Sequence, residues 1–263
     1  MDSRSNAHGR DPEDVGNTYF NELINRSMIQ PVDTDHNGDV QSCRVHDMML
    51  DLVLHKSREE NFITVTDDLQ SLVGQHDKVR QLSLHLDGLV DTSVFEIIQL
   101  SQVRSLAKKF GSTRCIPPLL KFMHLRVLNL EFPWHRSDIT ILDLTLIAHL
   151  FQLRYLKVVT DNRVKLPERI QGLQNLATLE IQTASPNKYD YPFSYVELPP
   201  DIIHLNRLLH LIFPLGVKLP DGIGNMKSLR TLNHFDLGRN SLEKYQGSWR
   251  PDQLEISANL LFT

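Results

Sequence analysis

Apolar side chains recur along most of the chain in one arrangement, at the first and fourth and usually also the sixth position of a short segment. The first four positions of the successive copies are residues 79–82, 103–106, 125–128, 153–156, 176–179, 208–211 and 229–232. The fourth positions are 21 to 32 residues apart, which is enough for one strand and a return segment. Because side chains alternate along a strand, the pattern predicts short strands with leucines on one face and the intervening residues on the other.

Three later copies carry a second pattern in front of the strand. Leu166, Leu198 and Leu219 are each followed by a proline and, four positions after the leucine, by an isoleucine. Apolar residues three apart after a proline predict a short helical or 3₁₀ return that packs beneath the strand. Strand, turn and short helix resemble the unit of a leucine-rich-repeat solenoid of the plant type, over residues 79–237. The resemblance implies an α/β solenoid whose leucines form the core.

The residues between the leucines are the predicted interaction surface on the concave side. They are Gln81, Ser83, His85, Val127, Asn129, Glu131, Tyr155, Lys157, Thr178, Glu180, His210, Ile212, Asn233 and Phe235. This mixture of charged, polar and apolar side chains suits a protein or peptide partner better than nucleic acid. Arginine also recurs at positions 80, 104, 126, 154 and 230. We interpret these arginines as a solvated row, that is, a row of side chains exposed to water, rather than as a stripe that binds a ligand.

The first sixty residues have a different pattern. Apolar residues near helical spacing predict a helix over 14–29 that Pro31 stops. Asn37 and Gly38 then predict the turn of a β-hairpin that joins 28–32 to 40–45.

A second helix follows the hairpin, with Asp47 as its predicted cap. Its predicted apolar face consists of Val45, Met48, Met49, Leu52 and Val53. Helix, hairpin and helix together look like a winged helix. Segments 19–29, 44–52 and 56–62 are similar to the end of the nucleotide-binding module in plant coiled-coil nucleotide-binding leucine-rich-repeat disease-resistance proteins, particularly those of grasses. With the repeats, the resemblance covers nearly the whole chain.

The resemblance implies one piece of chemistry, at His46. The family's Met-His-Asp motif falls on Val45, His46 and Asp47, with valine in its first position. In the family this histidine contacts the β-phosphate of ADP, so His46 and Asp47 would bind the cofactor once the nucleotide-binding domain is present. The 263 residues contain no G-x-x-x-x-G-K-[ST] phosphate loop. We therefore expect no cofactor in this chain, ADP or ATP only in a full-length relative, and a partly buried His46 with a structural role.

Composition and charge exclude several classes of protein. The chain is 41% hydrophobic and 23% charged, as folded domains are, and 41 of its residues are leucine. Its net charge of −4 provides no positive excess for nucleic acid or an anionic membrane. Two cysteines and an N-terminus without an apolar signal region favour a cytoplasmic protein. No apolar stretch approaches the roughly 18–20 residues that span a bilayer.

Other site chemistry is disfavoured by the sequence. Residues 33–40 imitate the start of a calcium loop, but Arg44 stands where the loop needs a bidentate carboxylate. Cys43 and His46 are spaced like two zinc ligands, yet no second pair lies at a suitable spacing. A hydrolase that uses His46 and Asp47 is disfavoured, because adjacent residues at a helix start rarely converge on one substrate atom. We expect neither a metal site nor an enzyme.

These patterns predict five segments: a disordered tail over 1–12, a winged-helix remnant over 13–64, a linker over 65–78, the solenoid over 79–240 and an irregular tail over 241–263. The predicted function is that of a truncated plant disease-resistance receptor whose repeats bind protein in the defence response. Its partner would be a pathogen effector, a guarded host protein or the nucleotide-binding domain of a fuller receptor. An ADP-dependent switch component and a non-functional remnant are the alternatives.

Overall fold

The computed structural model describes residues 12–34, 40–60, 62–74, 79–86, 91, 93–110, 116–132, 141–184, 196–214, 216–233 and 255–257. The chain divides into two compact units, with the boundary between residues 60 and 61. Apart from Pro12, the predicted tail over 1–12 lies outside the described residues, as do Asn37, Gly38 and Phe235.

The first unit consists of two helices and a hairpin. Its elements are α1 Pro12–Asn25, β1 Ile29–Thr34, β2 Val40–Val45 and α2 Asp47–Glu59. The two strands pair antiparallel, with Ile29 opposite Val45 and Thr34 opposite Val40, which confirms the predicted hairpin. Within the described part of the chain, no helix is both long and apolar enough to cross a membrane.

Helix α1 ends earlier than the sequence predicts, at Asn25. Ser27 has a φ of 57°, the left-handed conformation that reverses a chain at the end of a helix. The amides of Ser27 and Met28 donate to the carbonyls of Ile24 and Leu23, at 2.9 and 3.0 Å, and satisfy carbonyl groups of the last turn. The helix therefore needs no proline to stop it, and Pro31 lies inside β1.

The predicted apolar face of α2 is largely exposed. Met48, Leu52 and Val53 are 77%, 50% and 46% exposed, while Val45 and Met49 are partly buried. The apolar face that the sequence predicts is therefore mostly open to solvent in the described part of the first unit.

The second unit is built on a parallel sheet. Its strands are β3 Thr64–Thr66, β4 Gln81–Leu86, β5 Ser105–Phe110, β6 Val127–Glu131, β7 Ile141–Asp143, β8 Tyr155–Val159, β9 Arg163–Lys165, β10 Thr178–Gln182, β11 His210–Ile212, β12 Thr231–Asn233 and β13 Glu255–Ser257. Among the described residues, nine strands form one sheet in the order β3-β4-β5-β6-β8-β10-β11-β12-β13. Strands β7 and β9 form a separate parallel ladder. Each strand of the large sheet therefore pairs with the strand of the next repeat.

Short helices return the chain between most of these strands. They are α3 Val94–Ile97 and the 3₁₀ segments Leu69–Leu72, Leu119–Lys121, Thr145–His149, Pro200–His204 and Ile223–Asn225. Two of the three predicted returns are present, but the one predicted after Leu166 contains turns and no helix. Ile147, Ile202 and Ile223 on these segments are completely buried. The inner residues of the returns thus form one apolar core with the leucines of the strands.

The strand leucines form the buried face, as predicted. Leu156 lies opposite Leu128 and Leu179 in the neighbouring strands, and all three are completely buried. Lys108 occupies a core position although its side chain is charged: it pairs with Leu84 of β4 and Leu130 of β6 and is only 2% exposed. Its Nζ lies 5.8 Å from the centre of the Phe95 ring, within the range of a cation–π interaction.

Two boundary predictions are wrong where the structure describes them. The predicted linker over 65–78 contains part of β3, the edge strand of the sheet, and two buried residues, Leu69 and Leu72. The predicted irregular tail over 241–263 contains β13, in which Ile256 pairs with Leu232. Both strands are only three residues long and lack the repeated leucines, so their pairing comes from the neighbouring strand rather than from a local pattern.

Candidate functional site

His46 lies at the junction of the hairpin and α2. Its carbonyl accepts the amide of Leu50 at 2.8 Å, so His46 occupies the cap position and Asp47 is the first helical residue. The cap predicted at Asp47 is therefore displaced by one residue. The amide of His46 donates to the carbonyl of Met28 at 3.2 Å, which ties the helix start to the beginning of the hairpin.

The side chain of His46 is exposed, so the expectation of a partly buried histidine is wrong. At the junction between a hairpin and a helix, a polar side chain can point into solvent at little cost in free energy. Asp47 is exposed beside it. Among the described residues, no group of three or more His, Cys, Asp or Glu side chains could hold a metal ion.

The outward residues of the sheet align in three rows, which together we call the strand face. The first row contains Gln81, Ser105, Val127, Tyr155, Thr178, His210 and Thr231. The second contains Ser83, Ala107, Asn129, Lys157, Glu180 and Ile212. The third contains His85, Lys109, Glu131, Val159 and Gln182. Neighbouring strands lie about 4.8 Å apart, so the members of a row are in reach of one another.

The strand face brings together most of the residues predicted to bind a partner. Asn233 follows Thr231 by two positions and is partly buried like it, as expected for the same side of β12. Lys109 belongs to the face as well but escaped the sequence analysis. The sequence did contain a signal for Lys109, because it stands two residues after Ala107 and so on the same side of the strand. Lys108 obscured this signal by interrupting the leucine pattern of the strand.

Glu180 is the centre of a hydrogen-bonded cluster on this face. Its Oε1 accepts from Lys157 Nζ at 2.9 Å and from Gln182 Nε2 at 2.7 Å, and its Oε2 accepts from Tyr155 Oη at 3.0 Å. Burial raises the pKa of the Tyr155 phenol, and the charge and hydrogen bond of Glu180 raise it further. Tyr155 therefore donates as a neutral phenol at physiological pH. We call these four residues the Glu180 cluster.

The burial of Glu180 corrects the sequence prediction, which treated it as an open contact residue. Glu180 is only 8% exposed, because side chains from its own strand and from β8 occupy its oxygens. Tyr155 precedes Glu180 by 25 residues, so the contact depends on strand register. The centre of the strand face thus carries an internally paired charge rather than a free one.

Smaller polar contacts order the rest of the strand face. Ser83 Oγ and His85 Nε2 are 3.1 Å apart, and His210 Nδ1 lies 3.0 Å from Thr231 Oγ1 in the next strand. Asn129 Nδ2 donates to Glu131 Oε1 at 3.4 Å. These contacts hold the side chains of the three rows in place.

The arginines singled out by the sequence stand at the edge of this surface. The amide of Arg104 donates to the carbonyl of Arg80 at 2.7 Å, and the amides of Arg126 and Arg154 repeat this contact along the sheet at 2.7 and 2.8 Å. These four arginines and Arg230 are all exposed, as a solvated row requires.

Comparisons with known proteins match both units. Residues 5–53 match the family model of the disease resistance protein winged helix domain, and residues 102–246 match that of a leucine-rich repeat region. The disease resistance protein RGA5 of Oryza sativa subsp. japonica is 44% identical over 90% of this chain and 20% of its own length. The disease resistance protein Pik-2 of the same organism is 33% identical over 78% of this chain and 19% of its own length.

The chain spans about a fifth of the length of these relatives. The leucine-rich repeat model covers more than half of this chain, and it includes every strand of the strand face except β4. The chain therefore belongs to the leucine-rich repeat family, and the segment in front of its repeats is similar to the disease resistance protein winged helix domain.

Proposed function

We propose that this chain is the repeat-bearing portion of a plant defence receptor and that its repeats, arranged as a solenoid, bind a protein through the strand face. The observation that carries this proposal is the registered strand face with the Glu180 cluster at its centre. The names of the relatives support the role in defence. The partner would be a pathogen effector, a guarded host protein or the nucleotide-binding domain of a fuller receptor.

The composition of the strand face supports a protein as the partner. Val127, Val159 and Ile212 present partly buried apolar surface, while His85 and Gln182 are exposed polar groups. Protein interfaces combine such apolar contacts with a polar rim, and much of their affinity comes from a few ordered side chains. The same features favour a binding protein over an enzyme. With only two cysteines in the chain, we place this activity in the cytoplasm.

Substitution of exposed residues on the strand face is expected to abolish partner capture. The test variant carries His85→Glu and Gln182→Lys, both at exposed positions, so folding is expected to survive. Gln174→Lys is the matched control, because Gln174 is an exposed glutamine on a return segment. Tagged chains are incubated with extracts of healthy and infected rice leaves, cross-linked, and their captured proteins identified by mass spectrometry.

The expected result is a protein retained by the wild type and the Gln174→Lys control and lost from the double variant, with circular dichroism unchanged. Equal retention by the double variant would show that the strand face is not the binding surface.

We further propose that this chain alone binds no ADP and that His46 and Asp47 contact nucleotide only beside a complete nucleotide-binding domain. A hydrogen bond to a charged group contributes about 1.5–3 kcal/mol, whereas micromolar affinity requires about 8 kcal/mol. The exposed His46 therefore falls short by itself. Titration calorimetry of the 263-residue chain with ADP is expected to give no isotherm at micromolar concentrations. A micromolar isotherm that His46→Ala abolishes would contradict this proposal.

A further inference from the structure

An apolar patch lies on the return segments of two neighbouring repeats in the second unit. Leu120 and Met123 belong to the earlier repeat, and Leu146 and Phe151 belong to the later one. Their exposed fractions are 55%, 68%, 45% and 60%, in that order. We call these four residues the return patch. Exposed apolar residues that cluster in this way mark interaction sites, whereas single ones need no explanation.

The repeat itself does not require apolar residues at these positions. Met123 and Phe151 occupy the same position of their repeats, each directly after a buried core residue. In the repeats that follow, this position holds Gln174, Asn206 and Lys227, and all three are exposed. A polar side chain therefore suits the position where a return segment faces water. Two adjacent apolar residues there point to a surface that a partner covers.

Met123 and Phe151 lie side by side in the folded chain. The strands that follow them, β6 and β8, are neighbours in the sheet. The residues directly after them, His124 and Gln152, also meet, with Nδ1 and Nε2 3.2 Å apart. The two apolar side chains therefore form one surface across the boundary between the repeats.

Phe151 is held in place by the repeat that follows it. Its carbonyl oxygen accepts a hydrogen bond from Asn175 Nδ2 at 2.9 Å. A Cβ at Gly172 would stand 3.9 Å from Phe151 Cε1, so one edge of the ring lies close to this glycine. A side chain that is already ordered loses little conformational freedom on binding, so Phe151 can act as a rigid anchor.

Residues of opposite charge flank the return patch. Glu96 in the preceding repeat and Arg169 in the following one stand as many residues before their strands as Leu146 stands before β8. The side chain of Glu96 is 74% exposed, and Arg169 is exposed as well. Lys121 Nζ donates to the Phe95 carbonyl at 2.8 Å and to Glu96 Oε2 at 3.1 Å, which directs this cation back to the preceding repeat. The patch is therefore apolar at its centre, with an acidic residue at one end and a basic residue at the other.

We infer that the return patch binds the return patch of a second copy of this chain, in a dimer with two-fold symmetry. The symmetry axis would lie in the plane of contact, between the two repeats of the patch. Such an axis reverses the order of the repeats and preserves the position within each repeat. Met123 would then contact Phe151 of the second copy, and Phe151 would contact Met123 of that copy. Contacts between a thioether and an aromatic ring are favourable.

The same axis makes the surrounding positions complementary. Leu120 would face Ala148 of the second copy, which is small and partly buried and so leaves room for the leucine. At each end of the contact, Glu96 would face Arg169 of the other copy, and this pairing of charges fixes the orientation. The return patch belongs to the return segments, so this dimer does not depend on the function proposed for the strand face.

Sedimentation equilibrium of the full chain tests the dimer. The expected result is a monomer–dimer equilibrium with a dissociation constant of about 10–100 μM, as for a small interface. Met123→Glu and Phe151→Glu each place a carboxylate in both apolar contacts, and each is expected to weaken the dimer about tenfold or more. Val65→Glu, at an exposed apolar position of the edge strand β3, is the matched control and is expected to change nothing. Circular dichroism of the variants is expected to match the wild type.

Charge reversal tests the orientation of the two copies. Arg169→Glu would bring two carboxylates together at each end of the contact, and it is expected to weaken the dimer about threefold at low salt. Arg80→Glu makes the same change of charge at an exposed position outside the patch and is expected to have no effect.

Mixing two variants tests the pairing that the symmetry requires. Met123→Glu and Phe151→Lys are each expected to be monomeric, but an equimolar mixture is expected to form a heterodimer. In that heterodimer the new carboxylate of one chain faces the new ammonium group of the other, while the second contact keeps its wild-type residues. Sedimentation with a fluorescent label on one variant measures this association.

Several outcomes would overturn the inference. The wild type could stay monomeric at about 1 mM, a concentration at which even a weak dimer forms. Val65→Glu could weaken association as much as Phe151→Glu, or the equimolar mixture could stay monomeric. Association that no variant of the return patch changes would place the contact on another surface, and growth beyond the dimer would exclude a closed two-fold contact.

Discussion

Leu156→Ala is expected to lower the free energy of unfolding by about 2–5 kcal/mol, the usual cost of truncating a fully buried leucine. Leu156 is completely buried and pairs with Leu128 and Leu179 on either side. Because each repeat packs against its neighbours, the cavity would weaken two interfaces at once. Urea denaturation followed by circular dichroism measures the loss.

Leu120→Ala is the matched control for this substitution. Leu120 is 55% exposed on a 3₁₀ return segment, so the same truncation removes little buried surface. We expect a change within about 0.5 kcal/mol. Equal losses from the two leucines would mean that the faces of β8 are assigned wrongly.

Lys157→Met is expected to destabilise the second unit by about 1–3 kcal/mol. The substitution keeps the aliphatic stem but leaves the buried carboxylate of Glu180 without its cation, and an uncompensated buried charge is costly. The side chain of Lys157 is 26% exposed, so solvent screens part of this effect. Thermal and urea unfolding of the variant give the change in free energy.

Two variants distinguish loss of this ion pair from loss of any lysine. Lys227→Met, at an exposed position, is expected to leave stability unchanged. Glu180→Gln in the Lys157→Met background removes the stranded charge and is expected to recover part of the loss. No recovery in the double variant would show that Lys157 stabilises the strand face through packing rather than through Glu180.

Local patterns were sufficient for the strands that carry the repeated leucines and for their faces. Side chains alternate along any strand, so the spacing of Leu82, Leu156 and the other repeat leucines determines which side is buried. Prolines and isoleucines at regular spacing likewise indicated the short returns. The hairpin followed from two short strand patterns and an Asn-Gly dipeptide between them.

Features that depend on neighbours in space escaped this reasoning. Strand β3 carries no leucine of the repeat, and it joins the sheet because β4 offers it a partner. Helix α1 ends at a left-handed Ser27, a conformation that the apolar spacing does not report. The predicted burial of His46 failed for a related reason, because burial depends on what packs over a side chain rather than on its motif.

The sequence by itself determined the repeat architecture, the face of each strand and the family resemblance, because these depend on residues close together in the chain. Only the tertiary structure decided that Glu180 is buried, since Tyr155 and Lys157 reach it from the neighbouring strand. It also decided that a cleft opens between residues 196–204 and 218–221, because these two segments come from different repeats. Side-chain environment between repeats depends on register, and register is a property of the folded sheet.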